Sequence, residues 1–362
     1  MARKATIKDV AAQAEVSVAT VSLVLNGRPA RVADTTRERI FQAARELHYV
    51  PNQNARSLVT NESKLIALIV PDIENLFFIA LAKSLEDLCS AEGYSLIIAG
   101  SDDSRIAEHN LMNKLSSRGV DGIFLIATRQ STAHEEGLRE DVQHLDCPVV
   151  LIDRLADSHW CDGVGFNNRH GGYLAAMHLL EAGHRRIGCV SGDIGEGNAN
   201  ARRQGFLDAL AEWGVSAEPS LLVEGDYRFA SGYAAADQLI DNGATAVFCA
   251  NDLMAAGFMG RLSERKLSVP DDISLVGYDN VVRRFGVMPE ITAVDQNVDA
   301  MAAKCYRIIA DRIGDANSAR QNTATVSKPW LAEPMSEILL PTLVVRDTVR
   351  PVLVNGDGAV GL

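Results

Sequence analysis

The chain has 362 residues, 47% hydrophobic and 23% charged, with a net charge of −12; that length suits two or three domains rather than one core. No apolar run is long enough to span a membrane and the N-terminus lacks a secretory signal's apolar stretch, so a cytosolic protein is expected. The six cysteines (89, 147, 161, 189, 249 and 305) stand singly, which argues against a zinc site or a disulfide framework and suits a reducing compartment.

The acidic total hides an asymmetry. Residues 1–62 hold nine Lys and Arg against six Asp and Glu, whereas the rest holds 26 against 41. A mildly basic head on an acidic body leaves any contact with nucleic acid to the head.

The head opens with Thr6 and Asp9, spaced as a capping box for a first helix. Val10, Ala11 and Ala14 give that helix one small apolar face. Glu15 and Val16 separate it from a second helix, which Ser17 can cap, Val21 and Leu25 are expected to bury, and Asn26-Gly27 can end. Two short helices at a sharp turn form a helix-turn-helix, whose second helix fits the major groove of DNA; on the turn alone, an ordinary αα-hairpin fits as well. A third helix is predicted from Asp34 to about Leu47, with Ile40, Ala44 and Leu47 on one face. Pro51 then breaks the chain. Residues 52–59, NQNARSLV, have helix-forming composition but only about two turns, too few to persist in water without a partner surface. Residues 60–63 read as a polar linker.

From Leu65 the pattern becomes a βα alternation, and so a parallel sheet with helices on both faces. Strands are predicted at Leu65–Val70, Ser95–Ala99, Gly122–Ile126 and Pro148–Ile152, with helices between them near 77–92, 104–117 and 135–145. A second series follows Asp153-Arg154. Its predicted strands are Arg186–Val190, Leu221–Val223, Ala246–Ala250 and Ile273–Val276, and its helices lie near 169–181, 199–213, 229–240 and 252–265. Further strand candidates lie near Ile291–Val294 and Leu339–Val345, around a helix at Val298–Ile313. The expected organisation is a head at 1–51, a hinge and linker at 52–63, an N-terminal subdomain from 64–155 with 293–320, a C-terminal one from 156–292 with 321–350, and a tail at 351–362. The segment 314–335 reads as a loop. Two such units describe a clamp whose ligands bind beyond the carboxyl ends of the strands.

Enzymatic signatures are missing. Gly163-Val164-Gly165 lacks the third glycine of a dinucleotide loop, and no P-loop, HExxH or GxSxG string occurs. No catalytic residue, metal site or cofactor is therefore expected. Polar groups do recur at the strand ends: Asp72, Asn75 and the Phe77-Phe78 pair, Asp153-Arg154, Asn251-Asp252, and Tyr278-Asp279-Asn280. Each could be a turn or cap residue; together they suit recognition of a small polar ligand.

These strings resemble the lactose-repressor/galactose-repressor family of bacterial transcription regulators over nearly the whole chain. The resemblance rests on TIKDVAAQAEVSVATVSLVLNG, TRERIFQAARELHYVPNQNARSL, LIALIVPDIENLFF, GHRRIGCVSGD, AVFCANDLMAAG and VPDDISLVGYDN. It implies an all-α helix-turn-helix head on an α/β body of two doubly wound subdomains of periplasmic-binding-protein type. It also implies a homodimer on a palindromic operator and a repressor controlled by a small ligand, such as a sugar, in the cleft, with no membrane contact. Ser17, Val18, Ala19, Thr20, Ser22, Leu23 and Asn26 would then face the major groove. Ala55, Arg56, Ser57 and Leu58 would form a hinge helix on DNA, with Leu58 wedged into the minor groove. Leu23 departs from relatives that carry Arg or His, and offers only apolar contact such as with a thymine methyl. For the effector the resemblance maps onto Arg202 (with Arg203 as its rival), Asn251, Asp279 and Gln296, and makes Phe77, Phe78, Asp153 and Arg154 wall residues. The other readings are a periplasmic-type binding protein without gene regulation and an α/β enzyme.

Overall fold

The computed structural model describes residues 5–25, 29, 31–50, 62–155, 160–195, 197–286, 290–321, 328–331 and 333–352. They fall into two compact units, Met1–Ser63 and Lys64–Leu362.

In the first unit α1 (Ile7–Gln13), α2 (Val18–Leu25) and α3 (Asp34–Glu46) enclose one small core. Asp9 closes the start of α1 by accepting from Thr6 N at 2.8 Å and Thr6 Oγ1 at 2.7 Å. Ser17 Oγ accepts from Thr20 N at 3.1 Å and so takes up one orphan amide of α2. Val10, Ala11 and Ala14 are buried as expected, as are Ile40 and Ala44. On α2 the buried pair is Val21 and Val24, not Val21 and Leu25. A three-residue step keeps a small side chain over α1, and Leu25 packs only at the core's margin. The hinge stretch 52–59 lies outside the described residues.

The second unit holds two six-stranded sheets. The first contains β1 (Leu65–Val70), β2 (Ser95–Gly100), β3 (Gly122–Leu125), β4 (Val149–Ile152), β5 (Asp162–Phe166) and β11 (Ser336–Leu339), in the order β2-β1-β3-β4-β5-β11. The second contains β6 (Ile187–Ser191), β7 (Leu222–Glu224), β8 (Ala246–Cys249), β9 (Ser274–Asp279), β10 (Ala293–Asp295) and β12 (Thr342–Val344), in the order β7-β6-β8-β9-β10-β12. Pairing is parallel except for β10 with β12. The shared order reverses direction between β1 and β3, and between β6 and β8, the switch points where such sheets bind ligands.

Alternation along β1 explains why its apolar run is continuous. Ile66, Leu68 and Val70 pack with helix α4 (Leu76–Ala91) and the long α12 (Val298–Gln321), while Ala67 and Ile69 pack with α5 (Arg105–Ser117) and α7 (Glu135–His144). A short α6 (Arg129–Ala133) precedes α7. On the second sheet lie α8 (Asn168–Glu181), α9 (Gly197–Glu212), α10 (Phe229–Asp241) and α11 (Asp252–Glu264).

The lobe boundaries differ from the sequence reading. Residues 162–166, expected in the C-terminal subdomain, form β5 of the first sheet; residues 293–295, expected in the N-terminal one, form β10 of the second. The stretch 339–345 is two short strands, one ending in each sheet. β5 was invisible because its sequence, DGVGF, has no apolar run. Its glycines serve packing: a Cβ on Gly163 would lie 2.8 Å from Leu155 Cδ2. Asp162 then fixes the strand, taking a bidentate pair from Arg312 on α12 at 2.7 and 2.8 Å and a bond from Met335 N at 2.8 Å. The predicted loop from 314 begins as helix, since α12 runs on to Gln321.

Candidate functional site

On α2, Ser17, Val18, Ala19 and Leu23 are exposed, and Thr20 and Ser22 are half-buried. Val18 and Leu23 leave 40% and 37% of their surface open on a helix whose other face is buried. Exposed apolar groups on a short helix cost solvation unless something covers them. Asn26 and the hinge residues Ala55, Arg56, Ser57 and Leu58 lie outside the described residues.

In the body, the chain leaves the strands' carboxyl ends into one cleft. Asp153 follows β4, Asn251 follows β8 and Asp279 ends β9, and with Asn75, Phe77, Phe78, Arg154, Asn198, Arg202 and Tyr227 they line an inner pocket of about 30 Å³. Outside it lies a chamber of about 770 Å³ shared by Asp72, Asn75, Phe78, Arg154, Tyr227 and Arg228 among others. Asp102, Asp103, Asp153, Tyr227 and Asp279 all have positive φ, from 49° to 85°. Asp tolerates this left-handed backbone; for a tyrosine it is uncommon, and such backbone collects at functional sites.

Arg202 is the inward residue, and Arg203 is not in the pocket lining. Two close helix approaches bring Arg202 in: a Cβ on Gly172 of α8 would lie 1.8 Å from Arg202 O, and one on Gly205 1.7 Å from Arg169 O. Its guanidinium stacks 3.9 Å above the Tyr278 ring. Nε donates to Asn168 Oδ1 at 2.7 Å, Nη1 to Ala250 O at 2.7 Å, and Nη2 to Gln296 Oε1 at 3.3 Å. Asp279 Oδ1 lies 3.7 Å from Nη1. Gln296 is fully buried behind Arg202 and steadies it, outside the pocket lining. Asn168, which the sequence reading did not single out, is the hub, taking bonds from Arg202, Gln296 Nε2 at 3.4 Å and Tyr278 OH at 3.3 Å.

The amides in the site are committed to the backbone. Asn251 Oδ1 caps α11 through Met254 N at 2.8 Å while its Nδ2 donates to Tyr227 O at 2.9 Å. Asn75 Oδ1 caps α4 through Phe77 N at 3.0 Å. The Phe77 and Phe78 rings meet edge-on at 5.7 Å. Asp153 is different: it is buried, and its Oδ1 has no hydrogen-bond partner among the described residues. Burial pushes its carboxyl pKa up, against the pull of Arg202 and Arg154. Burial also pushes Asp279 up, to about 8, with Arg202 opposing.

Residues that strand-end reasoning missed stand across the chamber. Arg228 reaches from the second lobe to Asp72 at 2.8 Å and Glu74 at 2.6 Å on the first. Arg129 of the first lobe pairs with Asp103 beside it and Asp193 opposite. Asn198 Nδ2 donates across to Asp153 O at 3.3 Å.

A helix-turn-helix head on a two-lobed body with a polar interlobe cleft defines the class of ligand-responsive DNA-binding regulators built on a periplasmic-binding-protein body. Residues 6–52 match the model for bacterial regulatory proteins of the lacI family, and 176–349 match a periplasmic binding protein-like domain. The HTH-type transcriptional repressor PurR of Vibrio atlanticus (strain LGP32) is 36% identical over 320 residues, 88% of this chain and 94% of its own. Its namesake in Edwardsiella ictaluri (strain 93-146) is 36% identical over 333 residues, 91% and 96% of the two chains. Among solved structures, the lac repressor dimer bound to operator and the anti-inducer ONPF superposes with a TM-score of 0.79 at 25% identity, covering 96% of this chain and 100% of that one. The transcriptional regulator CelR–cellobiose complex gives 0.66 at 29% identity, covering 95% and 99%. The chain belongs to the lacI family of bacterial regulatory proteins and is a helix-turn-helix transcription regulator.

Proposed function

We propose that the chain is a repressor, acting in the cytoplasm as a homodimer on a palindromic operator and switched by a sugar or related metabolite in the interlobe cleft. The observation that carries the switch is the convergence of Asp153, Arg202 and Asp279 from separate elements on one pocket with Phe77, Phe78 and Tyr227 as walls. The DNA-reading role of α2 is supported by Val18, Ala19 and Leu23 standing exposed opposite Val21 and Val24. Leu58 and its hinge neighbours are assigned to the minor groove on the family resemblance.

A ligand shifts DNA affinity only by binding one lobe arrangement better than another. The cleft is built for that, since its walls belong to both lobes. The test is a gel shift with genomic fragments at several salt concentrations, with and without metabolites. Specific binding that weakens steeply with salt and changes with one metabolite class is expected; no specific binding under any condition would sink the reading.

A further inference from the structure

Of the two arginines that bridge the lobes, Arg129 is carried by α6, a helix of five residues (RQSTA). So short a helix, with Ser and Thr in it, does not persist by its own hydrogen bonds. Two carboxylates of the neighbouring segment hold it. Asp103, just before α5, accepts from Arg129 N at 3.1 Å and from Arg129 Nε. Glu108, in the first turn of α5, is fully buried and lines neither the inner pocket nor the chamber. Its Oε2 accepts from Thr128 N at 2.6 Å and its Oε1 from Ser131 Oγ. Thr128 caps α6, its Oγ1 taking Ser131 N at 3.3 Å.

Burying a carboxylate is costly unless its oxygens are bonded. Both Glu108 oxygens are, and both bonds end on the first turn of α6. Arg105 Nη1 stands 3.9 Å from Oε1 as the nearby positive charge. Burial still pushes the Glu108 pKa up, with the bonds from Ser131 and Thr128 opposing. An arginine loses rotamer freedom when its head is fixed in one exposed pair, which is one reason such pairs are weak. Arg129 has given up much of that freedom beforehand, since its backbone and its Nε are already held. Its Nη1 then meets Asp193 of the second lobe. Asp193 Oδ1 accepts in turn from Gly195 N at 2.9 Å, so the bridge also steadies the loop after β6.

We propose that Glu108 is the positioning residue of this interlobe bridge: by holding Thr128 and Ser131 it aims Arg129 across the cleft at Asp193. The inference rests on the lobes closing over the cleft, and it adds a control point that lies outside the cleft.

Hydrogen exchange of the full chain at low salt, without ligand or DNA, tests it by comparing residues 127–134 with residues 190–195. Glu108→Ala is expected to speed exchange in both stretches, and in 190–195 by about twofold or more, the scale of one exposed ion pair. Arg129→Ala should speed 190–195 by the same factor, and the two changes together no further. Glu108→Gln keeps an acceptor for Thr128 N and a polar group beside Ser131 Oγ, and should stay near wild type in 190–195. Faster exchange in 127–134 alone would show that Glu108 supports only its own lobe and would overturn the inference. So would effects of Glu108→Ala and Arg129→Ala that multiply in 190–195, or an Arg129→Ala chain that exchanges there as wild type does. If Glu108→Ala does not fold, Ser131→Ala removes one of the two bonds and decides in the same stretch. Faster exchange at 190–195 then upholds the inference, and wild-type exchange overturns it. The regulator reading is untouched by any of these outcomes, because it stands on the gel shift.

Discussion

Asp252 starts α11 one residue past Asn251, buried beneath the cleft. Its Oδ2 accepts from Val281 N at 2.7 Å and Val282 N at 3.1 Å, while Oδ1 has no partner among the described residues. Burial pushes its pKa up to about 6, against those amide bonds and Arg346. A folded-state pKa above the unfolded value means that the folded chain binds the proton more tightly. The resulting stabilisation is complete below about pH 4 and lost as pH rises through 6. Asp252→Asn keeps an acceptor for the two amides and carries no charge at any of these pH values. We expect it to stabilise the fold above pH 6 by about 3 kcal/mol at most, read as a higher melting temperature, with the gain vanishing towards pH 4. A gain that persists unchanged at pH 4 would show that the charge is not the cause. At this scale the sequence was legible where a residue ends its own strand or directly follows it, as Asp279 and Asp153 do. It was silent on Asn168, whose importance is the set of side chains that α9, β9 and the residue after β10 bring to it. The capping roles of Asn75 and Asn251 were foreseeable from Asx chemistry, and those caps hold the amides against the backbone rather than towards a ligand.

At the level of elements, the βα alternation was readable because apolar runs and helical periods are local signals. β5 was not, since a strand with two glycines and a leading Asp is defined by its neighbours. Asp162 and Arg312, both nearly buried, tie that strand to α12 and to the chain entering β11. Asp162→Ala strands a buried guanidinium and should cost about 3 kcal/mol in urea unfolding. The double change Asp162→Leu with Arg312→Met should recover much of that loss, because replacing a whole buried pair by apolar groups is cheap while halving it is not. Failure of the double variant to improve on the single one would mean that the bonds to Met335 N and Glu333 O matter more than the charge. α2 makes a separate prediction. In the proposed role of α2, Leu23 offers only apolar contact, so Leu23→Ala should lower specific operator affinity several-fold while the salt slope stays as it was. A changed slope would place Leu23 against phosphates instead.

Across the whole body, the residues hardest to foresee are those that matter only because two lobes face each other. Arg129 opens the short α6, Asp193, Tyr227 and Arg228 come from loops, and no motif links them; their proximity depends on where the crossovers between sheets place the lobes. The pairs they form bridge the cleft on half-exposed side chains: Arg228 to Asp72 and Glu74, and Arg129 to Asp193. Exposed pairs of this kind are worth roughly 0.2–1 kcal/mol each. Two bridges therefore favour lobe closure by roughly 2- to 30-fold. That is weak enough for a ligand to outweigh, and it falls as salt screens the charges. Scattering from the full chain should then show a larger radius of gyration at high salt than at low salt. The double variant Arg129→Ala with Arg228→Ala should already have the larger radius at low salt and respond little to added salt. Equal radii for both proteins at every salt concentration would mean that packing around Phe78 and Tyr227, not the ion pairs, holds the lobes together.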